Sequence, residues 1–425
     1  MAASRRFEDY VLLNKVLDTT PIIDHHAHPL LKSELMGDHP LLSITTEANG
    51  DALEHTSSSL AHIRAVKQLA QILGCEKSWD AVAARIKQER TASPEAWTKR
   101  CLEGIETILV DDGLGAPENF ERYSWHDTFT KSKCKRVVRI ESVAEDIFAR
   151  YCVAAKAGVQ PRDPDEGYSV EMMLDFTTEI KRCLADPEVA GFKSVICYRG
   201  GLNMIPKDSF VFFEPLAELG DIVKKYVKGD DDFVAKKRLQ SRVLNNLIVH
   251  ETARLISESP SSPKKPFQFH TGLGDNDITL ALSSPSLMQG FIKDYPTVPI
   301  VILHAGYPWT REAGYLAAMY NNVYADIGEV FPVLSRHGQE NVVKQILEIC
   351  PWSKILWSTD GHMAPETYLL ATTQVRSVLK TVLGELVQTE QIDEKQAATL
   401  AQDVLFNNAK KLYGLSVSTT LQDFV

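Results

Sequence analysis

The sequence contains eight short apolar, β-branched runs, each of which stops abruptly at polar or glycine residues. They occupy residues 21–24, 107–110, 136–140, 192–197, 266–269, 298–303, 322–325 and 354–357. Short, nearly continuous apolar runs are typical of strands that are buried on both faces, as in a parallel sheet. The runs therefore predict eight strands of one parallel sheet.

Segments with helical periodicity separate these runs. The clearest occupy residues 142–157, 169–186, 231–257, 286–294 and 341–348. Strand and helix in alternation indicate parallel βαβ units, and eight units predict a (β/α)8 TIM barrel of about 250 residues. We expect residues 1–425 to form one barrel domain. Residues 30–104 would be a helical insertion after the first strand, over the barrel mouth, and residues 393–415 would be closing helices.

The composition excludes several partners. The chain has 46 Lys and Arg against 56 Asp and Glu, a net charge of −10, whereas nucleic-acid binding needs a basic surface. No uninterrupted apolar run reaches the roughly 18 residues of a membrane span. Seven cysteines without a CxxC pair suit a reducing compartment. We therefore expect a cytoplasmic protein that acts on a small molecule, with assembly into a homo-oligomer left open.

Histidines cluster at the ends of the predicted strands. Of the 12 in the chain, six follow four of the runs: His25, His26, His28, His270, His304 and His362. The carboxyl ends of barrel strands converge on one face, where active sites of this fold are built. In an extended segment, residues two apart point the same way. His26 and His28 can therefore both face the barrel axis, while His25 points elsewhere.

A carboxylate joins these imidazoles, because Asp360 follows the last predicted strand. Imidazole and carboxylate groups are the ligands that Zn²⁺ prefers. The residues therefore predict a metal site of His26, His28, His270 and Asp360. A coordination position left open for water would distinguish a catalytic from a structural site.

The same residues resemble a known family. The HxH after the first strand, a histidine after each of the fifth and sixth, and an aspartate after the eighth are similar to the amidohydrolase superfamily. FQFHTGLGD, VILHAGYPW, NVYADIG and NNAKKLYGL resemble its amidohydrolase-2 type. Within that type, the chain resembles the amidohydrolase-like halves of fungal FluG and of plant nodulin/glutamine-synthetase-like proteins. A glutamine-synthetase-like module follows in those relatives, and we expect none in this chain.

The resemblance implies a role for each site residue. It implies one divalent metal, zinc or alternatively manganese, with Asp360 taking a proton from water and His304 stabilising the substrate carbonyl oxygen. Members with two metals carry a carboxylated lysine at the end of the fourth strand. Here Lys193 falls near the start of the predicted fourth strand and Arg199 at its end. We therefore expect a single metal and a structural role for Lys193.

Four further residues are candidates for substrate binding. The guanidinium of Arg199 can hold a carboxylate in bidentate fashion, or it can pair with a loop acid. Tyr198, Trp309 and Asp275 follow strand ends and are candidates to line the pocket. Together with the resemblance, these residues indicate a hydrolase that cleaves a C–N bond (amide, lactam or γ-glutamyl) of a small carboxylate-bearing substrate.

Two alternatives stay open at this point. The amidohydrolase-2 type also includes metal-dependent, non-oxidative decarboxylases of aromatic or unsaturated acids, in which Asp360 would protonate carbon. A non-catalytic regulatory barrel of the FluG type is the third hypothesis. The intact set of predicted ligands favours an enzyme over this last alternative.

Overall fold

A computed structural model gives the fold, and it describes residues 10–163, 167–209, 213–231 and 233–421. Eight strands lie side by side in sequence order, and all neighbouring pairs are parallel. They are β1 (Ile22–Ala27), β2 (Ile105–Asp111), β3 (Lys135–Arg139), β4 (Val189–Ser194), β5 (Phe267–Phe269), β6 (Ile300–Ile302), β7 (Val323–Asp326) and β8 (Ile355–Leu356). The predicted (β/α)8 TIM barrel is confirmed.

The chain just after β8 completes the barrel against β1. The amide of Asp360 donates to the carbonyl of His26 at 3.1 Å, and the amide of His28 donates to the carbonyl of Gly361 at 2.8 Å. These bonds bring the segment that carries Asp360 alongside the HxH segment. The closure of the barrel thus joins the two sequence motifs that lie farthest apart.

Helices surround the barrel between the strands. The described ones are α1 (Val11–Thr19), α2 (Leu60–Leu73), α3 (Trp79–Ala92), α4 (Pro94–Cys101), α5 (Ile140–Lys156), α6 (Gly167–Ala185), α7 (Phe213–Lys228), α8 (Phe233–Lys236), α9 (Arg242–Glu258), α10 (Gln289–Asp294), α11 (Thr310–Met319), α12 (Val330–Val333), α13 (Arg336–Leu347), α14 (Glu366–Gln388), α15 (Glu394–Gln402) and α16 (Asn408–Leu412). Within these described ranges, no helix combines the length and the apolar character needed to cross a bilayer.

Two predicted elements differ from the structure. The fourth strand ends at Ser194 and not at residue 197, because Glu141 accepts hydrogen bonds from the Ser194 hydroxyl and the Val195 amide. The chain then turns into a short 3-10 helix, Ile196–Tyr198. The helix predicted over residues 231–257 is interrupted between α8 and α9. Within the interruption, Lys237 and Arg238 line the cavity described below.

The segment between β1 and β2 is helical, as its sequence pattern indicates. Two 3-10 helices, Leu41–Thr45 and Gly50–Ser58, precede α2, α3 and α4. The apolar residues of this segment form a core with Ala27, Ile108 and Tyr368 of the barrel. Glu366 at the start of α14 also anchors this segment to the barrel, because its carboxylate accepts hydrogen bonds from Arg90 and Trp97. The segment also contributes Glu47 to the wall of the cavity at the barrel mouth.

The last helices close the other end of the barrel. After α15 the chain passes through a π-helical turn, Asp403–Asn407, into α16. Apolar side chains of these turns pack against the barrel interior, Phe406 and Leu412 among them. The Asn408 side-chain amide donates to the carbonyls of Trp352 and Ile355, where β8 begins. The carboxyl ends of the strands remain open for a site.

The buried His126 makes the stability of this fold depend on pH. Burial lowers the pKa of His126 from 6.5 to about 4, and its Nε2 lies 3.4 Å from the amide of Leu30. Between pH 6.5 and about 4 the unfolded chain takes up a proton at this side chain that the folded chain does not. We therefore expect the free energy of unfolding to decrease as the pH falls through this window.

Denaturant titration across pH should show a shallower decrease in the free energy of unfolding for His126→Gln. His337→Gln, on the exposed face of α13, is the control and should keep the slope of the unmodified chain.

Candidate active site

A cavity of about 1080 Å³ opens at the carboxyl ends of the strands. Residues from seven strand ends and from the β1–β2 segment line it, among them His28, Lys193, His270, Glu329, Asp360 and His362. Its wall combines histidines, carboxylates and guanidinium groups. Catalytic sites of this barrel fold are built at this face.

Three of the predicted ligands lie together. The Asp360 Oδ1 atom is 3.1 Å from His26 Nε2 and 3.3 Å from His28 Nε2. Neither contact has hydrogen-bond geometry, so Asp360 Oδ1 is buried without a hydrogen-bond partner among the described residues. Lone pairs that face one another at this distance suit a cation between them.

A second group of donors lies beside the first. His304 Nδ1 is 2.9 Å from Glu329 Oε2, yet these two atoms and His304 Nε2 make no hydrogen bond within the described part of the chain. The ring of His270 packs 4.4 Å from that of His304, and His270 Nε2 lies 2.6 Å from the carbonyl oxygen of Leu273. The predicted ligand His270 is therefore next to His304, while one of its nitrogens already contacts a loop carbonyl.

The donors converge closely enough to hold a metal ion. Among the described residues, three sets offer ligand atoms within 4.8 Å of one another: His26 with His28 and Asp111, His26 with His304 and Asp360, and His270 with His304 and Glu329. His26 and His304 each belong to two of these sets. Imidazole nitrogens and carboxylate oxygens suit Zn²⁺ or Mn²⁺. The buried, unpartnered donor atoms show that the residues present fit such an ion.

Burial lowers the pKa of the candidate imidazole ligands, which favours the neutral form that binds a metal ion. It holds the pKa of His26 and His270 well below the ordinary value and lowers that of His304 to about 4. Burial opposes ionisation of Asp360, but the imidazoles of His304, His26 and His28 outweigh it and hold the pKa of this carboxyl well below its usual range. At neutral pH the site therefore presents neutral imidazoles and a carboxylate, the forms that bind metals.

The backbone is strained at three of these residues. His304, Glu329 and Asp360 have φ angles of 64°, 55° and 51°, a left-handed conformation that is uncommon outside glycine. Hydrogen bonds from neighbouring strands hold them in place; Asp326, for example, accepts from the His304 amide at 3.0 Å. Such strain clusters at functional sites. It brings the three side chains together, with Glu329 and Asp360 at the cavity wall and His304 buried beside them.

Asp326 supports the site from beneath. Its carboxylate also lies 3.0 Å from His25 Nε2 and accepts a hydrogen bond from the Ser358 hydroxyl. His25 thus points away from His26 and His28, toward β7, and is fully buried. One carboxylate therefore fixes the ends of β1, β6 and β8 relative to one another.

The position of Lys193 in the fourth strand differs from the one that the sequence predicts. We expected it near the start of the fourth strand, but it is the penultimate residue of β4 and faces the cavity. Its Nζ lies 3.0 Å from His26 Nε2, and burial lowers its pKa to about 8. The error came from placing the strand three residues too late. The pairing of Arg139 with Lys193 sets the register of this strand, and no periodicity in the sequence reveals that pairing.

Three of the four predicted substrate-binding residues line the cavity, and the fourth does not. Tyr198, Arg199 and Asp275 line the cavity, and the Tyr198 ring packs 4.6 Å from that of His270. Trp309 is half-buried where α11 begins and is not part of the described cavity wall. The tight turn after β6, with Ala305 in a left-handed conformation, carries it away from the opening.

Three cavity residues were missed by the sequence analysis. Glu329 follows NVYADIG directly, so applying the strand-end argument to the seventh strand would have found it. Arg238 occupies a predicted helix, and Glu47 lies within the long segment after β1. No local pattern distinguishes these last two from ordinary surface residues.

Comparison with known proteins agrees with this geometry. A model of the amidohydrolase family matches residues 264–415. The FluG protein of Emericella nidulans is 39% identical over 415 residues, which cover 95% of this chain and 47% of FluG. Residues 264–415 thus match the amidohydrolase family, and nearly the whole chain is similar to FluG. It spans about half the length of this curated relative.

Solved structures show the same barrel fold. A protein assigned as a metal-dependent hydrolase from Lactobacillus casei is similar with a TM-score of 0.75 and 24% identity, covering 95% of this chain and 97% of that one. A uronate isomerase of Bacillus halodurans gives a TM-score of 0.64 at 12% identity, covering 97% and 98%. These likenesses support the fold and leave the reaction to be argued from the site.

Proposed function

We propose that this chain is a metal-dependent hydrolase that cleaves a C–N bond of a small, carboxylate-bearing substrate. The observation that carries the proposal is the set of buried, unpartnered donor atoms on His26, His304, Glu329 and Asp360 beside a large cavity. The family match and the donor set both support a metal-dependent enzyme. Zinc is the ion we expect, with manganese as the alternative.

In this proposal His26, His28, His270 and Asp360 hold one divalent ion. When bound, such an ion lowers the pKa of a water molecule toward 7 and polarises a carbonyl group. Asp360 accepts a proton at a carboxylate oxygen and returns it to the leaving nitrogen. His304, whose ring nitrogens are unpartnered among the described residues, donates a hydrogen bond to the carbonyl oxygen as charge develops there.

The cavity wall supports the substrate assignment. Arg199 reaches the cavity and lies 3.6 Å from Glu145, a looser contact than a hydrogen-bonded ion pair. A guanidinium that retains free donors can bind a substrate carboxylate. The same wall would suit the acid substrate of a decarboxylase, so product analysis has to distinguish the two.

Turnover in H₂¹⁸O identifies the reaction type. The panel should include γ-glutamyl amides, lactams, aromatic acids and uronates. Hydrolysis leaves ¹⁸O in a new carboxylate and releases an amine, which is the expected result. Release of CO₂, or conversion of a uronate to its ketose without ¹⁸O, would contradict the proposal in favour of a lyase or an isomerase. A metal-loaded protein with no turnover on the whole panel would favour the regulatory hypothesis.

His304→Ala tests the proposed division of roles. Removal of one donor that stabilises a developing oxyanion costs about 100-fold to 1000-fold in kcat. We expect a loss of this size while the metal content stays at that of the unmodified chain. His337→Ala, at an exposed position of α13, is the control and should change neither quantity. Loss of the metal in His304→Ala would instead make this residue a ligand.

A further inference from the structure

The end of the cavity formed by β3, β4 and the segment between α8 and α9 is lined by guanidinium groups. Arg136 and Arg139 are each paired with one aspartate through two atoms. Arg136 donates through Nε and Nη2 to Asp112, and Arg139 donates through the same two atoms to Asp111. The charge of each of these two arginines is therefore balanced by a close carboxylate within the protein.

On the same wall, neither Arg199 nor Arg238 donates through two atoms to one carboxylate among the described residues. The Nε atoms of both are buried and have no hydrogen-bond partner among the described residues. Arg199 approaches a carboxylate only at 3.6 Å, from Glu145. Arg238 pairs at 3.0 Å with Asp277, on the exposed side of the wall. Two arginines thus line the cavity side by side, and Arg199 has no carboxylate closer than 3.6 Å among the described residues. Adjacent guanidinium groups at a cavity wall suit an anionic ligand.

Glu145 is a weak counter-ion for Arg199. The same oxygen that faces Arg199 already accepts a hydrogen bond from the Leu239 amide at 2.7 Å. Burial raises the pKa of Glu145 to about 7, so part of the population is neutral at physiological pH. The positive charge of Arg199 is therefore available to a ligand.

Arg238 is held toward the cavity by its neighbours in sequence. Lys237 pairs with Asp146 at 2.8 Å, and the Leu239 amide binds Glu145. Both carboxylates belong to α5, so the residues on either side of Arg238 contact this helix, Lys237 through its side chain and Leu239 through its backbone. Arg238 Nη2 also donates to the carbonyl of Tyr198 at 3.3 Å. This bond places Arg238 against the residue that directly precedes Arg199.

The two arginines also lie near the candidate metal ligands. Tyr198 connects them, since its ring packs 4.6 Å from the ring of His270. A small molecule that reaches both groups would place a carboxylate against the arginines and another functional group near the imidazoles.

We propose that Arg199 and Arg238 together form a subsite for a carboxylate group of the substrate, at the end of the cavity away from the bond that is cleaved. This inference rests on the proposed function and specifies its substrate class: small acids whose free carboxylate is separated by a short chain from the reacting group. Arg238 becomes a specificity-determining residue. A bidentate guanidinium contact favours a planar carboxylate.

Calorimetric titration with glutarate, glutaramide and inorganic phosphate tests the subsite. The measurement uses the protein with its metal and is repeated after chelation, so that binding to the ion is separated from binding to the arginines. We expect glutarate to bind in both states and glutaramide to bind in neither. Arg199→Gln and Arg238→Gln should each weaken glutarate binding about tenfold or more, as the loss of a charge-assisted hydrogen bond implies.

Arg136→Gln is the matched control, because this arginine also lines the cavity but donates through two atoms to Asp112. It should change the dissociation constant less than twofold. An equal loss in Arg136→Gln, or no loss in Arg238→Gln, would overturn the subsite. Phosphate bound more tightly than glutarate would overturn its assignment to a carboxylate. Glutarate binding that depends on the arginines in a protein without hydrolytic turnover would leave the subsite standing and reject the proposed function.

Discussion

Asp360→Asn is expected to remove most of the bound metal and all measurable turnover. The asparagine keeps the size of the side chain but replaces the anionic oxygen that lies 3.1 Å and 3.3 Å from His26 and His28. Loss of a residue that only supports a metal ligand costs about 10-fold to 100-fold in affinity. Loss of a ligand carboxylate should exceed this range. Elemental mass spectrometry on protein purified without chelator measures the effect.

The unmodified chain should contain about one zinc or manganese ion, as expected for a mononuclear catalytic site. Asp80→Asn, at an exposed position of α3, is the control and should retain the full metal content. Metal retained in Asp360→Asn would contradict the assigned ligand set. Two ions per chain would contradict the single-metal proposal, and this count matters because Lys193 lies against His26 and not at the far end of the barrel.

Glu366→Ala is expected to give the largest loss of stability. The carboxylate of Glu366 is fully buried. It accepts hydrogen bonds from Arg90 at 2.6 and 2.9 Å and from Trp97 Nε1 at 2.6 Å. Its removal leaves a partly buried guanidinium and a buried indole N–H without their acceptor. Breaking a buried ion pair in this way costs about 3–5 kcal/mol. We expect a decrease of this size in the free energy of unfolding, measured by urea titration with circular dichroism.

Glu385→Ala provides a matched control on the same helix. Glu385 pairs with Lys344 at 2.6 Å, but both side chains are more than two-fifths exposed. Solvent-exposed ion pairs contribute about 0–1 kcal/mol, so this variant should unfold close to the unmodified chain. Equal effects of the two substitutions would show that Glu366 does not anchor the β1–β2 segment to α14.

The barrel was predictable because its evidence is local. Each strand is a short apolar run, and each is followed by a helical segment. The alternation alone specifies parallel units. The histidines were predictable for a related reason: in a parallel barrel every strand end lies on the same face, so His26, His28, His270 and Asp360 can be assigned to one site without knowledge of their distances. The structure places His26 and His28 within 3.3 Å of one carboxylate oxygen of Asp360 and His270 beside His304.

The sequence pattern did not predict the positions of Lys193, Glu47 and Arg238, because contacts between distant segments fix them. The end of β4 depends on Glu141, a residue of α5 that captures the Ser194 hydroxyl and the Val195 amide. Arg238 faces the cavity because two carboxylates of the same helix hold the residues on either side of it. These contacts join residues more than 50 positions apart. No periodicity within one segment encodes them.

The sequence by itself therefore determined the fold class, the face of the barrel that carries the site, and the imidazole and carboxylate chemistry found there. Only the tertiary structure decided the register of β4, the position of Lys193 against His26, and the placement of Arg199 and Arg238 on one wall of the cavity. The physical reason is that hydrophobic periodicity is a property of one segment, whereas register and charge compensation depend on the groups that other segments bring into contact.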